Sequence, residues 1–516
     1  MEKLRKLISL CMIVRNEEQQ LPRCLKSVQG IVDEIIIVDT GSSDRTIEVA
    51  EQFGAIVVRA EWEQDFAKAR NVGLARAQGE WVLFLDADEM LDAATGSQLR
   101  VEADHEASGL FLQIWNVVGS SDDERGGTVH PVLRLFRNDP HIRFEGRIHE
   151  QIAASILRRW PEAVFRLTDA KIFHYGYRHD IVLEKNKLQR NMELLERAVL
   201  EEPNNVFHRY NLGVEFLRAG MPEKALEAFR FVKKQEGFGQ LSYAHLVLKY
   251  EVRSLLSLHR WAESVDAATK GTAQFADYPD MHHYHSLSLA QNGQLRQAVH
   301  AAEKALQLGA APPQYHTEDG IGTYRTSYML GRLKEAQLDT QGVIRAYIAS
   351  LRQHSSLMPP LYRLCRYLRI AGEADRLAAI LAAQLACHNE EAVLKVADVI
   401  AESGCEQAAI EWVNWHAAQH SDEQRRRLEA WFERIGGVGD EEKGQKTERG
   451  LLRDQGQEQE QEQEQEPVQT PIGTSGLFSE MCLRADWHLE RLQRSNKAVT
   501  ALRLLLPCEE GWGPRR

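Results

Sequence analysis

The chain has 516 residues, too many for one hydrophobic core, so two or three domains are expected. Hydrophobic residues make up 43% and charged residues 27%, the balance of a soluble globular protein. The formal charge is −12, and the ten acidic and four basic side chains of 440–466 account for half of it; the rest shows no basic stripe, so nothing in the charge pattern suits a nucleic-acid partner.

The first residues, MEKLRKLISLCMIVRNEE, place a basic run before an apolar one, as a secretory leader does. The apolar run Leu7–Val14 is short, contains Ser9, and ends in Arg15-Asn16-Glu17-Glu18 without a small-residue cleavage site. It reads as a buried first strand, covered on both faces. Residues 17–28 carry Leu21, Leu25 and Val28 at helical spacing. Glu34–Asp39 is a second strand, and Gly41-Ser42-Ser43-Asp44 is a turn whose polar side chains can cap the helix running to Phe53. Ala55–Ala60 is a third strand, 66–78 a helix ended by Gly79, and Glu80–Leu85 a fourth strand leading into Asp86-Ala87-Asp88. Strands and helices alternating in this way imply a parallel sheet, with ligands beyond the carboxyl ends of its strands. Asp39 and Asp86 both fall at such ends. Gly109–Val118, Val129–Arg137 and Phe165–Tyr177 read as further mixed or antiparallel strands with no clear helix between them.

From about 180 to 435 the signals are helical and repetitive. Leu212-Gly213, Phe216, Gly220, Ala225 and Phe229 fall at the offsets of a tetratricopeptide unit. Leu289, Gly293, Ala298, Ala302 and Ala305 form a second match, and Leu330-Gly331 with Tyr347 a third; Trp261–Ala268 is weaker. Small residues are expected where paired helices touch, with neighbours stacking into a solenoid. His282, His283 and His285 share a repeat helix, but i, i+1 and i+3 do not converge on one face, so they read as solvated. Gly436-Gly437, EQEQEQEQE, Pro467 and Pro471 mark a disordered linker. The expected domains are 1–195 catalytic, 196–435 repeats, 436–475 linker and 476–516 a tail with one helix around Leu483–Leu506. Seven scattered cysteines without CxxC spacing argue against a disulfide framework and a zinc site, and suit a reducing compartment. No stretch approaches membrane-spanning length, so the cytoplasm is expected.

Asp86 and Asp88, one residue apart at a strand end, can hold a hard divalent cation through oxygen. Such an ion stabilises the negative charge that develops on a departing diphosphate. A solvated acidic turn is the alternative. Arg70, on the preceding helix, can act as a fork donor to phosphate or be an ordinary helix arginine. Asp39 can accept from a nucleobase or ribose, or cap the next helix.

Four ordered segments carry a resemblance: Ile8–Glu18, Val38–Thr46, Ala69-Arg70-Asn71 and Leu85-Asp86-Ala87-Asp88-Glu89. Together they resemble the family 2 glycosyltransferases, and within them the SunS-like subgroup, whose catalytic domain is fused to tetratricopeptide repeats and which includes peptide-glycosylating enzymes. The resemblance covers roughly the first 190 residues well and the repeats more loosely. It implies an α/β GT-A catalytic domain, with a Rossmann-like mixed sheet, followed by an all-α repeat solenoid. It also implies a UDP- or other nucleotide-sugar donor, Mn²⁺ or Mg²⁺, and inversion at the anomeric carbon. Asp39 would meet the base and ribose, with Arg15, Glu17, Arg70 and Asp86 also on the donor. Asp88 would be the main metal contact, joined by Asp86.

Inverting transfer needs a general base within reach of the acceptor nucleophile. In Phe144–Glu150 the expected base is Glu150, with His149 a phosphate or metal partner; a surface strand is the alternative. Glu150 falls on the face of Ile148, so it is expected to be partly buried and harder to ionise. His174 could complete the metal shell or touch the diphosphate, or be a core histidine at the domain junction. The expected acceptor is a peptide or protein gripped by the repeats, or a saccharide or lipid-linked sugar with the repeats serving to oligomerise or dock the protein. The competing reading is a non-catalytic repeat scaffold with a degenerate front domain; Asp39, Arg70, Asp86 and Asp88, all present, argue against it.

Overall fold

The fold comes from a computed structural model. The structure describes residues 6–103, 106–117, 127–175, 181–355, 358–385 and 389–418, with 387, 428, 430 and 431 besides. The expected linker and C-terminal tail lie outside the described residues.

Strands β1 (Ile8–Val14), β2 (Glu34–Asp39), β3 (Ile56–Arg59) and β4 (Trp81–Phe84) run parallel in the order β3-β2-β1-β4. Helices α1 (Leu21–Ser27), α2 (Thr46–Gln52) and α3 (Phe66–Leu74) connect them, so each strand and helix read in this half forms. Alternation along β1 feeds two cores. Ile8, Leu10 and Met12 pack with Leu21 and Leu25 of α1, while Cys11 joins Ile36, Val82 and Phe84 on the other face. Both faces being covered, these strands read as continuous apolar runs. Ser9 fits inside β1 because its hydroxyl donates to buried Glu34 and accepts the Gly79 N–H at 2.7 Å.

The sheet continues through β5 (Glu89–Leu91), the short helices α4 (Ala93–Gly96) and α5 (Leu99–Glu102), then β6 (Gly109–Asn116), β7 (Thr128–Arg137), α6 (Ala153–Arg159) and β8 (Phe165–His174). Its full order is β3-β2-β1-β4-β7-β6-β8-β5. Strand β7 is antiparallel to β4 and β6, whereas β8 is parallel to β6 and antiparallel to β5. This is the mixed Rossmann-like sheet expected. Helix α6 was not expected; only its Ser155 and Ile156 are buried, too few apolar residues to give a helical period.

Helices follow: α7 (Ile181–Glu201), α8 (Val206–Arg218), α9 (Pro222–Lys233), α10 (Ala244–Ser257), α11 (Trp261–Gln274), α12 (Pro279–Gln291) and α13 (Leu295–Leu308). A two-residue strand, β9 (Thr317–Glu318), precedes α14 (Tyr324–Ala336), α15 (Thr340–Gln353), α16 (Pro359–Ile370), α17 (Leu377–Gln384), α18 (Glu390–Glu402) and α19 (Glu406–Ala417). Successive helices pack in pairs, α8 on α9, α10 on α11, α14 on α15 and α18 on α19. Of the marked glycines, Gly220 and Gly293 turn the chain at φ 73° and 79°, while Gly213 and Gly331 lie at the helix contacts. A Cβ on Gly213 would stand 2.8 Å from the Phe229 ring, and one on Gly331 2.3 Å from the Tyr347 ring. The histidine-bearing helix α12 is a correction: His283 is buried, and His282 and His285 face Ala276 O and Thr269 Oγ1. Among the described residues no helix is long and apolar enough to cross a membrane.

The chain divides into two compact units, 1–288 with 307–321, and 289–306 with 322 onward. The boundary expected at 195 falls inside α7, with residues of the first compact unit on both sides of it. In the first unit Ile148 packs against Leu194, Leu195 and Leu212 of α7 and α8. Strand β9 pairs antiparallel with the start of β7, Thr128 opposite Glu318 and Val129 opposite Thr317. It is anchored by buried charge. Asp280, fully buried on α12, meets Lys249 Nζ at 3.1 Å and accepts from Thr317 Oγ1 and from the Glu318 N–H. Glu318 in turn accepts from Arg253 (3.2 Å) and the Tyr284 hydroxyl (2.8 Å).

Candidate active site

The carboxyl edge of β1, β2 and β4 gathers most of the expected residues. Asp39 closes β2 in register with Val14, and Asp86 to Glu89 follow β4. The loop after β1 is tied to the loop after β2. Asn16, at φ 57°, donates its N–H to Ser42 Oγ (2.9 Å) and accepts from the Ser43 N–H (2.8 Å); the Glu17 N–H donates to Thr46 Oγ1 (2.7 Å). Arg15 is exposed and Glu17 half-buried on this loop. Asp39 is buried, and its carboxylate accepts the N–H groups of Gly41 and Ser42 at 3.2 Å. It therefore shapes the turn itself, while the Thr46 N–H that opens α2 goes to Asp44 Oδ1 at 3.0 Å.

Helix α3 carries Arg70 into the cleft. Asp65 caps this helix by accepting the Lys68 N–H at 2.9 Å. Asn71 pins the loop holding Glu150, donating to Phe144 O (3.0 Å) and accepting the Phe144 N–H (2.9 Å). Arg70 Nε donates to Glu150 and its Nη2 to Asp86 Oδ1 at 3.0 Å. Its guanidinium lies over the Phe84 ring, 5.0 Å from the centroid. Nη1 is buried without a hydrogen-bond partner among the described residues. Glu150 is partly buried, as expected, but it is ion-paired rather than isolated in apolar surroundings.

Two residues were given no role in the sequence reading, Arg134 and the Glu89 that closes the Asp86 motif. Arg134, inside β7, donates Nη2 to Glu89 Oε1 at 2.6 Å and reaches Asp86 Oδ2 at 3.5 Å. Glu89, 2% exposed, also accepts the Asp86 N–H at 2.9 Å. An arginine within an otherwise apolar strand, Val132-Leu133-Arg134-Leu135-Phe136, was the available signal. Burial alone would raise the Asp86 carboxyl, but Arg70 and Arg134 hold it well below the usual range. Burial pushes the Glu89 carboxyl up to about 7 against the pull of Arg134, with the Asp86 charge adding to the rise.

Asp88 and His174 form a separate pair, Oδ2 to Nε2 3.3 Å. Burial would lower the His174 imidazole, but the hydrogen bond and charge of Asp88, helped by Glu89 and Asp86, hold it above its ordinary value. His174 Nδ1 meets Asn116 Oδ1 at 2.6 Å. Among the described residues no group of three His, Cys, Asp or Glu side chains assembles as metal ligands. Asp86, expected to share the metal with Asp88, instead turns its two oxygens to Arg70 and Arg134. His149, expected beside the phosphate or metal, is exposed at φ 53°, with Glu215, Glu150, Arg218 and His208 as its principal charged neighbours. Three of these belong to α7–α8 helices or their ends, since the loop is packed there through Ile148.

Residues 9–158 match the model of glycosyl transferase family 2. A TPR repeat-containing protein of Synechococcus elongatus is 36% identical over 226 residues, spanning 41% of this chain and 53% of its own. The SPbeta prophage-derived glycosyltransferase SunS of Bacillus subtilis is 29% identical over 231 residues, spanning 44% of this chain and 52% of its own. The chain thus spans about half the length of these curated relatives. The crystal structure of S. aureus TarS aligns over 49% of this chain and 54% of its own, with 17% identity and a TM-score of 0.30.

Proposed function

We propose that this chain, whose N-terminal part is a family 2 glycosyltransferase domain fused to helical repeats, transfers a sugar from a nucleotide-sugar donor, a UDP-sugar, to a peptide, protein or saccharide acceptor with inversion. The observation that carries this reading is the charge layout at the carboxyl edge of the sheet. Buried Arg70 presents an unpartnered Nη1 beside Asp86, and the Asp88–His174 pair stands next along the same turn. A cationic donor and a cation-holding pair side by side suit a leaving diphosphate.

Asp88 and His174 fit a divalent ion as two ligands, with donor phosphate oxygens and water for the rest, which is how Mn²⁺ and Mg²⁺ are commonly held. An imidazole nitrogen favours Mn²⁺ of the two. When bound, the ion supplies Lewis-acid stabilisation of the departing diphosphate. Asp86 is better used in orienting Arg70 and Arg134 toward the donor than as a ligand. Asp39, Arg15 and Glu17 face the base and ribose side. Glu150 takes the proton of the acceptor nucleophile; Arg70 fixes one of its oxygens and so aims the other. Localisation in the cytoplasm and acceptor capture by the repeats belong to the same reading.

Asp88→Asn is the direct test. The Mn²⁺-dependent rise in melting temperature given by UDP should disappear. Unchanged UDP affinity in that variant would refute the metal assignment. In the wild type, no UDP release from any UDP-sugar with Mn²⁺, together with no melting shift, would favour the scaffold reading.

A further inference from the structure

We propose that segment 315–318, held by side chains of α10 and α12, is a brace for the catalytic sheet, and that Thr317 is a positioning residue for the donor cleft. The need for a brace follows from the sheet. Strand β4 meets β7 at Leu135, Phe136 and Arg137. Upstream of these residues the same edge of β7 is left for something else to cover, and an uncovered edge invites pairing with another chain. Strand β9 covers the start of that edge, with Thr128 opposite Glu318 and Val129 opposite Thr317. The Asp319 N–H extends the pairing to Gly127 O at 2.8 Å, and the His316 ring stacks on His130 with centroids 4.5 Å apart.

The far side of the segment is held by side chains of α10 and α12 and by Tyr278 just before α12. The Tyr278 hydroxyl donates to His316 O at 2.6 Å, the His316 N–H to His245 Nε2 at 3.2 Å, and the Glu318 N–H to Asp280 Oδ1 at 3.2 Å. Thr317 Oγ1 donates to Asp280 Oδ2 at 2.5 Å, and Glu318 accepts from Arg253 and Tyr284. A slip of one residue would break this set and turn Thr317 to the opposite face, so one register is fixed. Asp280 is fully buried beside Lys249, and such a pair is weak evidence for added stability. What it supplies here is placement. Because the chain's own segment fills this face, an acceptor held by the repeats must use other surfaces.

The brace leads to the cleft in two ways. Asn116 Nδ2 donates to Thr128 Oγ1 at 2.8 Å, and Asn116 lies in register with His174, the partner of Asp88. Further along the same strand, Arg134 reaches Glu89 and Asp86. A shift at the start of β7 therefore reaches both the Asp88–His174 pair and the ion pairs of Arg134. That these groups meet a nucleotide rests on the donor reading above.

The probe is UDP with Mn²⁺, and coupling between two sites is reciprocal. Binding of UDP and Mn²⁺ should slow hydrogen exchange at 127–130 and 315–319 in the wild type. Thr317→Val keeps the branched shape and removes the hydroxyl given to Asp280. Measured well below the melting temperature, it should speed exchange in both segments and raise the UDP Kd about 5- to 10-fold, the low end of coupling between sites. Thr317→Ser keeps the hydroxyl and should restore both. If Thr317→Val does not fold, Tyr284→Phe, which loses the hydroxyl held on Glu318, is read in its place. Unchanged exchange, or faster exchange with unchanged UDP affinity, overturns the proposal. If the wild type binds no UDP, the donor reading fails. Faster exchange at 127–130 in Thr317→Val, restored by Thr317→Ser, then still upholds the brace, and unchanged exchange overturns it.

Discussion

The helix pairs and the charged cleft at the sheet edge are built by different rules. In the pairs, Gly213 meets Phe229 and Gly331 meets Tyr347, each 16 positions apart, and the contact is one of shape. In the cleft, Arg70 reaches Glu150 80 positions away and Arg134 reaches Glu89 45 positions away, and the contact is one of charge. Shape contacts between neighbouring helices repeat with a period. Charge contacts across the sheet occur once each and leave no periodic trace.

The largest expected effect tests whether the Arg70–Glu150 pair is more than scaffold. Glu150→Gln should lower transfer by about 10²- to 10⁴-fold, the range of a general base. UDP affinity should hold, because Arg70 keeps Asp86. Steady-state transfer and UDP titration read the two separately. Wild-type turnover would move the base elsewhere and make this ion pair a structural contact like those between the helices.

The same contrast explains what could be read in advance. Strands β1 to β4 and their helices show as apolar runs and helical spacings, because both sheet faces are covered. Gly213 and Gly331 show through the repeat. Arg70, Asp86 and Glu150 were each named, but not their mutual pairing, since nothing local fixes a contact 80 residues long. Arg134 was missed, and Glu89 was quoted without a role, for the same reason. Strand β9 is two residues long and has no alternation to detect. Its partners Lys249 and Asp280 stand 31 positions apart on different helices, so no local spacing links them.

That buried pair belongs to the helices yet follows the rule of the cleft. Lys249→Met leaves Asp280, fully buried, without its cation and should cost about 3–5 kcal/mol in chemical denaturation. Burial already raises the Asp280 carboxyl, with Lys249 opposing. In the variant that rise grows, so the folded-state value lies above the unfolded one. The penalty should then be full at neutral pH and shrink as pH falls through the folded value. A pH-independent loss would show that Asp280 titrates alike in the folded and unfolded chain and would overturn this account.

The smallest effect isolates shape. Gly331→Ala would put a Cβ 2.3 to 2.8 Å from three atoms of the Tyr347 ring. That ring cannot swing aside: it is fully buried, and its hydroxyl is held by Glu335 and lies 3.3 Å from Arg363 Nε. The better helix propensity of alanine offsets part of the strain, about 1 kcal/mol. Overpacking should still leave a net loss of about 1–3 kcal/mol, read as a lower thermal midpoint. In a Tyr347→Leu background the obstructing ring is gone, so the same alanine should become neutral or stabilising. If it costs as much there as in the wild type, the glycine serves the backbone and not the ring, and the shape rule fails for this pair.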